Sequence, residues 1–184
     1  MIPRFVSIIF LCLAGSVWAG AQDSEQLPQQ QVIYLVRHAE KVVDPGAHDA
    51  DPALNEAGLA RAQQLAHVLG EVGIDRIFST DTVRTRNTVA PLAKKLGLRV
   101  QSYDPRALPE FARQLQQSGE RILVVGHSNT TPQLVELLGA DGGAPIVEAT
   151  EYDRLYIVIR DRGRVTTLLQ RYGAGAQAEL SAQD

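Results

Sequence analysis

Apolar runs alternate with helical patterns along most of this chain, and the alternation constrains the fold more than any other feature. Four apolar runs are typical of strands, at residues 32–36, 74–78, 98–103 and 121–125. A helical pattern follows each run, at residues 55–70, 82–96, 106–117 and 131–138. Strands joined through helices pair in parallel. We therefore expect a single α/β domain, a three-layer sandwich with a mainly parallel central sheet and helices on both faces.

The first helical pattern has recognisable ends. Asn55 is the expected N-cap and Gly70 the expected stop. Its predicted buried face is formed by apolar residues at helical spacing, namely Leu59, Ala62, Leu65, Ala66 and Leu69. The residues predicted to point elsewhere are Arg61, Gln63, Gln64 and His67.

The second helical pattern contains a proline. Pro91 is expected to kink the helix or to delay its start. The residues that share one predicted face are Thr88, Val89, Leu92, Ala93 and Leu96.

The last part of the domain has a different pattern. Residues 151–173 indicate two strands joined by a turn at Asp161, Arg162 and Gly163. We expect this antiparallel hairpin to lie at an edge of the sheet.

The amino terminus is typical of an export signal. Arg4 precedes a short apolar segment that ends in small residues, and Ala19 and Ala21 both suit cleavage. Cys12, the only cysteine, follows Leu11 rather than a small residue, which disfavours lipid attachment. Residues 1–21 are therefore predicted to be a cleaved signal peptide. The remaining chain has no cysteine and no expected membrane span, which favours a periplasmic location.

The other boundaries follow from composition. Residues 22–30 are a polar, flexible leader, residues 31–172 form the domain, and residues 173–184 are predicted to be disordered. The formal net charge is −3, and no basic run is present, so nothing indicates a nucleic-acid partner.

Polar residues stand where two of the predicted strands end. Arg37 and His38 follow the first run directly, and His127 follows the fourth run after Gly126, which lets the backbone turn. The carboxyl ends of parallel strands form the usual ligand site of such folds. Arg84 and Arg86 lie in the first turn of the second helix. Guanidinium groups near a helix N-terminus suit a phosphate anion.

These segments carry a family resemblance. "LVRHAEK", "STDTVRTRNTV" and "VVGHSNTTP", in this order, resemble three signature segments of the histidine phosphatase superfamily, branch 1, also called phosphoglycerate mutase-like. "DPALNEAGLARAQQLA" resembles a further segment of that family. The resemblance implies that His38 is the nucleophile and that Arg37, Arg84 and His127 hold the phosphoryl group. It implies neither a metal nor another cofactor. Helical phase leaves open an exchange of roles between Arg84 and Arg86.

The family also uses a carboxylate that protonates the leaving oxygen, and here the chain departs from the family pattern. Asp104 and Glu110 follow the third strand, and Glu40 follows the nucleophile. Any of the three is a candidate acid. Glu40 fits better as support for the site.

The remaining polar groups have simpler interpretations. His67 is expected to be solvated. His48, with Asp44, Asp49 and Asp51 around it, fits a polar loop better than a metal site. Lys41 and Asp44 lie in the loop that begins at the nucleophile, where substrate contact is conceivable.

Together these features predict a compact, exported bacterial phosphatase that hydrolyses phosphomonoesters through a phosphohistidine on His38. Its substrate is expected to be an envelope glycolipid, a sugar phosphate or a nucleotide. Mutase activity is disfavoured because the chain has little room for a lid. Two alternatives are a phosphohistidine-protein phosphatase and a non-catalytic module that binds a phosphoryl ligand.

Overall fold

The computed structural model describes residues 30–43 and 50–173. The predicted signal peptide, nearly all of the leader, the loop that holds Asp44, His48 and Asp49, and the tail after Gly173 lie outside the described residues. The elements, in chain order, are β1 (Gln31–Arg37), α1 (Glu56–Leu69), β2 (Arg76–Ser79), α2 (Val83–Leu96), β3 (Val100–Ser102), α3 (Leu108–Gln116), β4 (Arg121–Gly126), α4 (Thr130–Leu137), β5 (Arg154–Asp161) and β6 (Arg164–Arg171).

The six strands form one mixed sheet in the order β3-β2-β4-β1-β5-β6. Strands β3, β2, β4 and β1 pair in parallel, whereas β5 pairs antiparallel with β1 and with β6. The parallel strands are those that a helix separates in sequence, as their crossover connections require. The predicted fold class is confirmed, including the antiparallel hairpin at one edge.

Two hydrophobic cores lie on opposite faces of the sheet. Ile33 and Leu35 of β1 belong to the core that includes residues of α3 and α4. Tyr34 and Val36 belong to the core that includes residues of α1 and α2. The side chains of a strand point alternately to its two faces, so the nearly continuous apolar run of β1 is explained by helices on both sides.

Helix α1 confirms the predicted cap and corrects the predicted face. The Asn55 side chain accepts a hydrogen bond from the backbone N of Gly58 at 2.9 Å. The prediction that Leu59 is buried was wrong, since 54% of this residue is exposed. The prediction that Arg61 points away was also wrong, since only 7% of it is exposed. Arg61 turns inward because it meets the Glu40 carboxylate there.

Helix α2 begins at Val83, so Pro91 does not delay its start. A proline in a helix lacks the N–H that would bond the carbonyl four residues earlier. That carbonyl belongs to Asn87, an exposed residue, where water can take the missing place. The predicted buried face is confirmed for Thr88, Val89, Leu92 and Ala93, whereas Leu96 is only partly buried, and Thr85 extends the face toward the helix N-terminus.

The hairpin of β5 and β6 turns through Arg162 and Gly163, which both have positive φ angles, of 48° and 80°. Two such residues form the type I′ turn that matches strand twist. The predicted turn is confirmed. None of the helices within residues 30–43 and 50–173 is long and apolar enough to cross a membrane.

Candidate active site

The register of β1 and β4 brings the two predicted site histidines together. Arg37 lies opposite Gly126, so the next residue on each strand is a histidine. The backbone N of His38 donates to the carbonyl of Gly126 at 2.9 Å, which extends the hydrogen-bonded pairing of β1 with β4 by one bond. The two imidazole rings meet edge to face with centroids 5.5 Å apart.

His38 is buried as a neutral ring of defined tautomer. Its Nδ1 lies 2.8 Å from the carbonyl oxygen of Ala39, which can only accept, so Nδ1 carries the proton. The lone pair therefore stands on Nε2. Burial lowers the pKa of His38 to about 3, and the positive charges of Arg37 and Arg84 add to the effect. The unprotonated Nε2 has the state that a nucleophile needs.

A threonine of α2 holds the backbone of the residue to which His38 donates. The backbone N of Ala39 donates to Thr88 Oγ1 at 2.9 Å, and the Thr88 hydroxyl donates to the carbonyl of Arg84 at 2.8 Å. The first bond ties the backbone of Ala39 to α2, and the second orients the Thr88 hydroxyl. The orientation of the nucleophile is thus set by a helix that is remote in sequence.

Arg37 has donors that no described residue satisfies. Only 1% of it is exposed, its Nη1 donates to the carbonyl of Glu151 at 3.0 Å, and its Cζ lies 4.1 Å from the centre of the Tyr152 ring. Its Nε and Nη2 are buried without a hydrogen-bond partner among the described residues. Burial lowers the pKa of Arg37, but an arginine starts so high that the guanidinium stays charged.

Arg84, rather than Arg86, joins this cluster. Arg84 Nη1 donates to Asp51 at 3.0 Å, and its buried Nε has no partner within the described part of the chain. Arg86 is half-exposed and pairs with Asp81. The Asp51 carboxylate also accepts from the backbone N of Val83 at 2.9 Å, so it occupies the N-terminus of α2 beside Arg84.

His127 is partly buried and also neutral. Burial lowers its pKa to about 4, with further contributions from Arg84 and Arg37. Its Nε2 lies 2.9 Å from the hydroxyl of Thr80, and its backbone N donates to Thr130. The predicted pocket side chains are therefore brought together at one edge of the sheet.

The sequence predicts that Gly126 allows a turn of the backbone before His127, but the structure gives a different reason for a glycine at this position. Its φ is not positive, so the backbone turn makes no special demand there. A Cβ at this position would lie 2.8 Å from the hydroxyl of Tyr103 and 3.0 Å from that of Thr131. Close packing of neighbouring side chains, rather than conformational freedom, explains the glycine.

Each of the three candidate acids is paired with an arginine. Arg61 donates to both oxygens of Glu40 at 2.7–2.9 Å. The carboxylate of Glu110 pairs with Arg113 on the exposed side of α3. Asp104 accepts from Arg106, whose hydrogen bonds lower the pKa of Asp104.

An open cleft of about 470 Å³ adjoins His127. It runs between residues 80–82 and 102–106, and Asp104 is part of its lining. Neither Glu40 nor Glu110 lines it. Of the three carboxylates, Asp104 is therefore the one that lines this cleft beside His127.

Several site residues had no sequence signal of their own. Tyr152 covers Arg37 from a loop without periodic pattern, and Glu148 of the same loop lies 3.8 Å from Lys41. Thr80 and Thr88 lie on either side of Arg84 in the sequence, and only their hydrogen bonds in the structure show what they do.

His67 is exposed, in agreement with the prediction that it is solvated. Within residues 30–43 and 50–173 no group of three or more metal-ligating side chains is close enough to hold a metal ion.

Two kinds of comparison relate this chain to known proteins. The family described as the histidine phosphatase superfamily (branch 1) matches residues 33–107, which include Arg37, His38 and Arg84. Among the curated proteins compared by sequence, none matches significantly.

Solved structures of similar fold include a proposed phosphohistidine phosphatase, SixA, from Agrobacterium tumefaciens, with 22% identity and a TM-score of 0.58 over 78% of this chain and 97% of that one. A mycobacterial glucosyl-3-phosphoglycerate phosphatase is 15% identical, with a TM-score of 0.60 over 80% and 100% of the two chains. The protein histidine phosphatase SixA in complex with tungstate is 19% identical, with a TM-score of 0.59 over 80% and 99%.

Proteins of this fold group are phosphoglycerate mutase-like histidine phosphatases, and the fold of this chain is theirs. The family match covers residues 33–107, and the structural neighbours share the fold of this chain.

Proposed function

We propose that this protein is a phosphatase that hydrolyses phosphomonoesters through a phosphohistidine on His38. One observation carries the proposal: His38 donates through Nδ1 to Ala39, so a neutral ring offers Nε2, and Arg37 and Arg84 near it have buried donors without a partner among the described residues. Such donors stabilise the charge of a transferring phosphoryl group. Arg37 and Arg84 would hold its oxygens, and His127 would face it from the neighbouring strand.

The reaction has two steps. In the first, the Nε2 lone pair attacks phosphorus, the bond from phosphorus to the leaving oxygen breaks, and that oxygen takes up a proton. In the second, water attacks phosphorus, the P–N bond breaks, and inorganic phosphate leaves. The proton released by water returns to the group that protonated the leaving oxygen. Neither step uses a metal or an organic cofactor.

Asp104 is the carboxylate best placed to protonate the leaving oxygen, because it lines the cleft next to His127. Its bonds to Arg106 favour the ionised form before substrate binds. A substrate that displaces Arg106 would release Asp104 for this role. Glu40 and Glu110 are less suitable because their arginine partners hold them elsewhere.

The cleft supports a hydroxylated leaving group such as a sugar. Its lining includes the carboxylates of Asp81 and Asp104 and the hydroxyl of Ser102, all able to bond sugar hydroxyls. The ring of Tyr103 is buried, so it offers little face for stacking a nucleotide base. We therefore favour a sugar phosphate or glycolipid over a nucleotide. One structural neighbour is a glucosyl-3-phosphoglycerate phosphatase.

We further propose that the protein acts in the periplasm after removal of residues 1–21. The amino-terminal sequence alone supports this part of the proposal. Fractionation of cells that express the full chain, with amino-terminal sequencing of the product, tests it. A product in the cytoplasm that retains residue 1 would refute it.

The test of the activity compares the domain with its His38→Ala variant on an aryl phosphate, with chelator present. We expect turnover and an acid-labile phosphoryl adduct on His38, both lost in the variant. The Arg84→Ala variant should raise KM and lower kcat, whereas the matched Arg86→Ala variant should change neither by more than about threefold. Phosphate binding without turnover or adduct would instead indicate the non-catalytic binding module.

A second candidate activity is the hydrolysis of phosphohistidine in proteins. The pairing of all three candidate acids with arginines favours it, because an imidazole leaves more readily than an alkoxide and needs less help from an acid. Two of the structural neighbours are called SixA and carry phosphohistidine or protein histidine phosphatase names.

The leaving group distinguishes the two candidates. Aryl phosphates of graded phenol pKa, a sugar phosphate and a phosphohistidine peptide are compared at one pH. A kcat that falls steeply as the leaving group becomes more basic, with rapid turnover of the peptide, indicates the second activity. A flat dependence with rapid turnover of the sugar phosphate indicates an effective acid and the first.

A further inference from the structure

Three threonines at the start of α2 form a hydroxyl cluster that the proposed reaction does not use. Thr80 and Thr85 are almost fully buried, and Thr82 joins them at the helix N-terminus. Buried hydroxyls are generally hydrogen-bonded, and each can donate one proton. These two rules give a direction to the bonds that connect Thr85 with His127.

The assignment of hydrogen-bond donors and acceptors starts from Thr85. Its Oγ1 lies 2.9 Å from the carbonyl oxygen of Thr80 and 3.0 Å from that of Thr82. The single hydroxyl proton of Thr85 is donated to one of these two carbonyl oxygens. Thr85 Oγ1 then acts toward its other neighbours as an acceptor.

Thr80 is the next member. Its Oγ1 lies 3.0 Å from Thr85 Oγ1 and donates to it. With its proton used, Thr80 Oγ1 can only accept from the third neighbour, Nε2 of His127, at 2.9 Å. The bonds therefore run from His127 through Thr80 to Thr85 and on to a backbone carbonyl.

We propose that Thr85 is a positioning residue that acts through Thr80 to fix His127 in the tautomer protonated on Nε2. The lone pair of the ring then stands on Nδ1. Any proton that His127 gains when a phosphoryl dianion enters the site is taken up on Nδ1, and the Nε2 proton stays on Thr80.

His127 is a neutral ring, so its tautomer decides which of its two nitrogens donates and which accepts. The ring is neutral because burial and the charges of Arg84 and Arg37 disfavour protonation, while Asp51 and Glu148 oppose them. His38 approaches from β1 with its own proton on Nδ1. A neutral ring in solution exchanges between two tautomers, so a partner is needed to select one.

Helix α2 thereby serves both histidines. Thr85 acts on His127 through Thr80, and Thr88, one turn later, accepts from the backbone N of Ala39, the residue whose carbonyl accepts from His38. Residues three apart lie on the same helix face, which explains how one helix reaches both strand ends. Thr88 therefore supplies a matched control for Thr85, because the two threonines act on different histidines.

The test reads the tautomer directly in ligand-free domain labelled with ¹⁵N on histidine. We expect a pyrrole-type Nε2 signal for His127 in the wild-type domain and in Thr85→Ser, which keeps the hydroxyl. In the isosteric Thr85→Val variant, Thr80 is free to donate, and the Nε2 signal should shift toward the pyridine type. Thr88→Val should leave the His127 signals unchanged.

Two results would overturn the proposal. One is a pyridine-type Nε2 in the wild-type domain, which needs no variant to fold. The other is a folded Thr85→Val domain, shown by an unchanged circular dichroism spectrum, in which Nε2 remains fully protonated.

The consequence for turnover rests on the proposed phosphatase activity. With an aryl phosphate, Thr85→Val should lower kcat about three- to tenfold with a smaller change in KM, and Thr85→Ser should restore it. The tautomer is measured in the ligand-free domain, so the NMR experiment tests the inference even if the protein hydrolyses no phosphomonoester. Failure of the inference and failure of the proposed function are therefore separable.

Discussion

The ion pair between Glu40 and Arg61 allows a decisive test of what Glu40 does. The side chains are 16% and 7% exposed, and three hydrogen bonds join them. Arg61 also donates to the carbonyl of Tyr172 at 2.7 Å, which links α1 to the end of β6. In Glu40→Gln, Arg61 loses the carboxylate charge with which it forms these three hydrogen bonds.

The expected cost follows from the burial of the pair. Removing one partner of a buried ion pair costs about 3–5 kcal/mol. Glutamine keeps one acceptor oxygen, so we expect the lower figure, about 3 kcal/mol. For a domain of this size that corresponds to a fall in Tm of about 6–12 °C. Activity per folded molecule should change less than about threefold, because Glu40 does not line the cleft.

The assay combines urea unfolding with kcat on an aryl phosphate at a temperature where the variant is folded. Arg61→Met in the Glu40→Gln background removes the uncompensated charge, so the double variant should recover at least half of the lost free energy of unfolding. An unchanged Tm with a hundredfold loss of kcat would refute this reasoning. That result would make Glu40 the general acid.

Three further predictions concern the same edge of the sheet. In Gly58→Ala the new Cβ would lie 2.1 Å from the backbone oxygen of Glu40, so urea unfolding should show a loss of about 3 kcal/mol, and a loss below about 1 kcal/mol would contradict the packing. Thr88→Val leaves a buried backbone N–H unpaired and should cost about 1–3 kcal/mol in the same assay, with Thr88→Ser as the control. His38 and His127 have pKa values lowered from 6.5 to about 3 and about 4, so the unfolded chain binds more protons below pH 6.5 and the free energy of unfolding should fall as pH drops through that window. The wild-type domain should show a steeper fall between pH 7 and pH 5 than His38→Asn, by up to about 1.4 kcal/mol per pH unit, and equal slopes would show that His38 is not held neutral.

Local pattern was a good guide to the elements but a poorer guide to their faces. The helix cap at Asn55 and the turn at Arg162 and Gly163 were predictable because each depends on neighbouring residues alone. Leu59 and Arg61 were assigned to the wrong sides of α1. An arginine is expected outside, and its buried partner Glu40 lies on another element, so helical periodicity contained no signal of the pair.

The candidate site shows the same division. Arg37, His38 and His127 were predictable because each directly follows an apolar strand, and parallel strands present their carboxyl ends at one edge. The choice between Arg84 and Arg86 needed the structure, which pairs Arg86 with Asp81 at the surface. The candidate acids also needed it, since their arginine partners decide whether they are free to act.

By itself, the sequence determined the layered α/β fold, the strand ends that carry the candidate site residues and the presence of arginines and histidines there, because periodicity and residue type express these locally. Only the tertiary structure decided the protonation of the histidines. A tautomer depends on which acceptor lies within about 3 Å of each ring nitrogen. Those acceptors, the Ala39 carbonyl beside His38 and the Thr80 hydroxyl beside His127, are held in place by threonines of α2. They meet the rings only when the helix packs on the sheet.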